Sequence, residues 1–126
     1  MRIKHIVLTI ACCLALVTFQ SAFAASDAIK TMAGIMMNLN HYPSDAEKQQ
    51  LKALAAQSGT TEAEKVIAIA MVNLEHSATA ADKKKLSKIM NDDAASGPAR
   101  TLARIVHDLN HKPSSEDKAK LKEMMN

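Results

Sequence analysis

The sequence predicts an all-α fold: three tandem helix-turn-helix hairpins, six short antiparallel helices, forming a small repeat array or a compact bundle. Three observations predict it. Apolar residues recur at helical spacing along six segments, and no segment alternates convincingly as a strand would. Hydroxyl residues followed three positions later by an acid mark helix starts. One motif also recurs: Leu39-Asn40-His41, Leu74-Glu75-His76 and Leu109-Asn110-His111, each followed by a turn, a hydroxyl residue, an acid and a lysine. His41, His76 and His111 are 35 residues apart. A hairpin repeated at such a period needs its neighbours to bury its apolar face. The period is near that of tetratricopeptide repeats, but the large aromatics of that pattern are missing.

Residues 1–24 have the pattern of a secretory signal peptide. Arg2 and Lys4 are positive, Ile6 to Phe19 is apolar apart from two threonines, and Ala22-Phe23-Ala24 offers small residues to a signal peptidase. Cleavage is expected after Ala24, and the remaining chain is expected in the periplasm or outside the cell. Lipoprotein processing at Cys12 or Cys13 is disfavoured, because the residues before Cys12 are Thr9-Ile10-Ala11. Cleavage removes both cysteines, so no disulfide or thiol chemistry is expected of residues 25–126. It removes both phenylalanines and leaves Tyr42 as the lone aromatic. Without Arg2 and Lys4 the bases fall from 16 to 14 against 13 acids. A near-neutral chain poor in aromatics argues against nucleic acid as a partner. No transmembrane segment is expected in the mature chain. Residues 25–126 suffice for one small domain.

The elements follow in order. The first helix is expected from about Asp27 to Asn40, capped by Ser26, with Ile29, Met32, Ala33, Met36 and Leu39 on one face. Pro43 forbids continuation, and Ser44 with Glu47 forms a capping box for a second helix, about Asp45 to Gln57. Its apolar stripe is thin: Leu51, Leu54 and Ala55. Ser58-Gly59-Thr60 is a stop. Thr61 with Glu64 caps the third helix, which runs to about Glu75 and is apolar nearly all round from Val66 to Val72, as buried helices are. Thr79 with Asp82 starts a fourth, about Ala80 to Met90. Residues 91–97 form the second linker, and Pro98 suits the first position of the fifth helix. Leu102, Ile105, Val106 and Leu109 make its stripe. Ser114 with Asp117 opens the sixth, with Leu121, Met124 and Met125 inward. The hairpins therefore span about 26–58, 60–92 and 96–126. The odd helices are richer in apolar residues than the even ones, which predicts odd helices inside and even helices outside. The third helix is expected to have neighbours on both sides, with the first and fifth as ends.

Candidate chemistry centres on the histidines. If the repeats stack, His41, His76 and His111 line one edge, and imidazole is the commonest metal ligand. His107 and His111 also share a helical face. The competing structural role is a helix-end residue beside free carbonyls. The methionines offer thioethers for Cu(I), but most fall on apolar stripes as core residues. Asp108 to Ala119 opens like a calcium loop and then fails it: Lys112, Pro113 and Ala119 stand where an oxygen ligand, a glycine and a bidentate glutamate are needed. Lys83-Lys84-Lys85 with Lys88 matches a solvated face better than a lipid-binding one. No catalytic constellation is visible, so no enzyme and no cofactor are expected. These observations favour an exported, non-catalytic interaction module that binds another protein or itself. Its expected contact surface is Tyr42, Ser77 and Lys112, which differ while their surroundings repeat. The alternative is a periplasmic Zn or Cu binder using His41, His76, His107 and His111.

Overall fold

Six hydroxyl side chains start the six helices. The structure, a computed structural model, describes residues 25–126; the expected signal segment, with Cys12 and Cys13, lies outside the described residues. The helices are α1 (Asp27–Met37), α2 (Asp45–Ala56), α3 (Glu62–Val72), α4 (Ala80–Met90), α5 (Gly97–Asp108) and α6 (Ser115–Met125). The caps are Ser26, Ser44, Thr61, Thr79, Ser96 and Ser114. Each accepts from the backbone N–H three residues on, at 3.1–3.2 Å. A cap of this kind contributes about 1 kcal/mol. Ser44–Glu47, Thr61–Glu64 and Ser114–Asp117 close full capping boxes. Asp82 is used differently: it accepts from the Thr79 hydroxyl at 2.9 Å and from Asn73 Nδ2 at 3.0 Å, tying the end of α3 to the start of α4.

The odd helices form the centre, each touching the other two, and the even helices pack outside them. The most extensive pairings join α2 to α3, α4 to α5, and α6 to α1. The first two run across the linkers, and the third joins the last helix to the first. The six helices thus close into a ring, which is the compact-bundle form of the predicted architecture. Residues one period apart do the same job: Met36, Met71 and Val106, and likewise Leu51, Leu86 and Leu121, are fully buried.

Ring closure corrects the expectation that α1 and α5 are ends, since each has neighbours on both sides just as α3 does. It also limits the burial of α3. Ile69 is 40% exposed, and Val66 and Val72 are only partly buried. Apolar composition all round that helix does not mean burial all round it. One link has no counterpart in the other repeats. Glu64 is buried where its equivalents are Ile29 and Ala99, and its carboxylate accepts from the Ser26 hydroxyl at 2.5 Å and from the Thr61 N–H at 3.0 Å. The start of α1 is thereby pinned to the start of α3.

Candidate metal centre

The site is made by the turns that join odd helices to even ones. α1 and α3 stop at Met37 and Val72, three residues before the predicted ends. Leu39, Leu74 and Leu109 leave the helical path and bury their side chains. Four residues later Pro43, Ala78 and Pro113 are buried again. Between these anchors the chain has three residues in which to reverse: Asn40-His41-Tyr42, Glu75-His76-Ser77 and Asn110-His111-Lys112. The central residue of each absorbs the reversal. His41, His76 and His111 have φ of 77°, 67° and 66°, and they are the only non-glycine residues with positive φ among those described. The flanking residues of each turn pair as an isolated antiparallel bridge. In the third turn the Lys112 N–H donates to the Asn110 carbonyl at 2.8 Å, which closes a tight three-residue turn. The histidines therefore lie beyond the last helical turn.

The three turns meet and hold one another. The His41 N–H donates to the His111 carbonyl at 3.0 Å, His76 N–H to His41 carbonyl at 3.1 Å, and His111 N–H to His76 carbonyl at 2.7 Å. This is a closed cycle of three backbone hydrogen bonds, one from each repeat. It satisfies the peptide groups on both sides of the reversal and fixes the three Cα atoms relative to one another.

The same cycle gathers the side chains. The ring centroids of His41, His76 and His111 are 4.9, 5.1 and 5.4 Å apart, and every pair is edge-to-face. Nδ1 of His76 and Nδ1 of His111 are 3.1 Å apart. One ring nitrogen from each histidine can be chosen so that all three lie within 4.8 Å of one another, and all three residues are exposed. Zn–N bonds of about 2.0–2.1 Å in a tetrahedral site put ligand nitrogens about 3.3 Å apart. The Nδ1 atoms of His76 and His111 are close to that separation, and the exposed rings are free to turn about their side-chain torsions.

His107 is not part of this group. It lies within α5, half-buried, with Nδ1 2.6 Å from Asp108 Oδ1. The methionines stay in or against the core: Met32, Met36, Met71 and Met124 are buried, and Met37, Met90 and Met125 pack partly buried. Tyr42, Ser77 and Lys112, picked out as a contact surface, each follow a clustered histidine and so border the triad. Tyr42 is 58% exposed, with Lys48 Nζ 5.7 Å from its ring centre. Lys84, Lys85 and Lys88 are exposed on α4. Among the described residues, no helix is long and apolar enough to cross a membrane.

Sequence reasoning identified the three histidines but missed the cycle that unites them. No local signal in the sequence marks it, because the cycle joins turns 35 and 70 residues apart. Comparison with known protein families, with curated proteins and with solved structures finds no match to the chain.

Proposed function

We propose that this protein is an exported, non-catalytic metal-binding protein that holds one borderline transition-metal ion, Zn²⁺ or Cu²⁺, on His41, His76 and His111. The observation that carries the reading is the convergence of three exposed imidazoles on three positive-φ residues locked by one hydrogen-bond cycle. Left-handed backbone at a residue other than glycine costs about 1–2 kcal/mol. Strain of this kind concentrates at functional sites. Here it recurs at three residues of the same type, and its result is a preorganised set of nitrogen donors. Imidazole suits Zn²⁺ and Cu²⁺. A site without thiolate, whose thioethers are held in or against the core, argues against a Cu⁺ preference. The export part of the reading is supported by the residues 1–24 pattern alone.

Calorimetric titration of residues 25–126 with Zn²⁺ and Cu²⁺ tests it. The expected result is one ion per chain at micromolar affinity or tighter, lost when His41, His76 and His111 are all replaced by Gly. Binding that is unchanged in that variant removes the reading.

A second reading is favoured by one observation. Among the described residues Tyr42 and Ile69 are the exposed large hydrophobics, and Tyr42, the more exposed, borders the triad. An interaction module that docks a protein partner or a second copy through Tyr42, Ser77 and Lys112 would use the same end of the bundle. Tyr42→Ala would weaken such docking and leave metal affinity unchanged.

A further inference from the structure

We infer that an ion held by the triad keeps one coordination position facing solvent, and that this position takes a small anionic donor from solution. The inference rests on the metal-binding reading above and goes beyond it by naming what the bound ion can do.

The first argument is the ligand count. Among the described residues the group that can hold a metal contains three side chains, one from each repeat, and no fourth histidine or carboxylate lies close enough to join them. Zinc sites with a structural role are closed by four protein ligands; three protein ligands leave the fourth place to water or another exogenous donor.

The second argument is geometry. The three turns approach one another through the hydrogen-bond cycle that links their histidines. The buried residues Leu39, Leu74, Leu109, Pro43, Ala78 and Pro113 anchor the turns to the core. All three histidines are exposed. The unoccupied side of a three-ligand set built this way is the side open to water.

The third argument is charge. Three imidazoles bind as neutral ligands, so the full charge of a divalent ion remains uncompensated by the protein. Such an ion attracts an anion to the place that water would otherwise fill. Glu75, next to His76, is the nearest carboxylate in sequence to any of the three. It stands where the other turns carry Asn40 and Asn110, it is exposed, and it is not a member of the cluster.

Cobalt substitution tests this and separates it from the parent reading. Co²⁺ is added to residues 25–126, its visible d–d bands are recorded, and sodium azide is then titrated. The expected result is a Co²⁺ spectrum that requires the three histidines, followed by a saturable azide-dependent shift of its bands. Glu75→Gln should give the same azide response. A Co²⁺ spectrum that requires the histidines but does not respond to azide leaves the metal reading standing and overturns the open position. A response that appears only in Glu75→Gln also overturns it, because Glu75 would then be the fourth ligand. Absence of any histidine-dependent Co²⁺ spectrum removes the metal reading and the open position together.

Discussion

Replacing the three histidines together separates what their backbone does from what their side chains do. At φ of 66–77° an alanine keeps the steric conflict of any L-residue, whereas a glycine has none. The hydrogen-bond cycle uses main-chain atoms only and survives either change. Each His→Ala change therefore leaves left-handed strain of about 1 kcal/mol or more in place and removes the edge-to-face contacts of the rings. Each His→Gly change loses the same contacts and gives up about 0.5–1 kcal/mol to the freer unfolded chain. It also releases left-handed strain of about 1–2 kcal/mol, so relative to alanine each glycine gains about 0.5–1 kcal/mol. The triple Gly variant should then be more stable than the triple Ala variant by about 2 kcal/mol, with some non-additivity because the three sites touch. In a domain of this size each kcal/mol moves the melting temperature by about 4–8 °C, so the gap should be on the order of 10 °C. Thermal unfolding followed by circular dichroism at 222 nm, in the presence of a chelator, reads it. Equal melting temperatures for the two variants would refute the claim that the turns impose left-handed backbone on these residues.

Three further outcomes are expected. Met71→Asp should prevent folding, because a charge at a fully buried site costs several kcal/mol. Ile69→Asp, two residues earlier at a 40% exposed site, should leave a cooperative unfolding transition; urea denaturation distinguishes the two. Glu64→Ala should lower stability by about 1–3 kcal/mol, since the Ser26 hydroxyl and the Thr61 N–H both lose their acceptor; the denaturation midpoint reads this. The hydrogen bond and charge of Lys120 hold Glu116 below its ordinary value. A depressed carboxyl stabilises the fold above its unfolded pKa and loses that contribution as pH falls through the folded one. Both partners lie at the surface, so the acid-side dependence that Glu116→Gln removes should be small and should shrink with salt, as acid titrations at two ionic strengths would show.

Much of the fold was legible because it rests on local rules. Five of the six caps were readable, four of them because a hydroxyl followed by an acid three residues on satisfies orphan N–H groups whatever surrounds it; Ser96, which caps α5, fell within the expected linker. The inner and outer helices followed from the width of their apolar stripes. What was not legible depends on distant parts of the chain. The α6–α1 contact has no local cause; it follows from three repeats being enough to close a ring. The ends of α1 and α3 were overshot because Leu39 and Leu74 continue the helical spacing while their burial takes them off the helix. Ile69 looked like a core residue because its neighbours are apolar, and only the placement of the other helices leaves it outside. For the site, periodicity gave the three histidines but could not separate His107, which shares a helical face with His111 in sequence alone. The left-handed backbone falls on the histidine of each turn, and that turns a helix-end residue into one of three converging donors.

X-ray absorption at the zinc edge of the loaded protein tests the central claim most directly. The account predicts three imidazole nitrogens at about 2.0 Å, identified by the outer-shell scattering of the histidine rings, and one further light atom from solvent. The triple Gly variant should show no such ring scattering. A zinc shell of oxygen donors alone in the wild-type protein, or imidazole scattering that persists in the triple Gly variant, would contradict a metal centre at His41, His76 and His111.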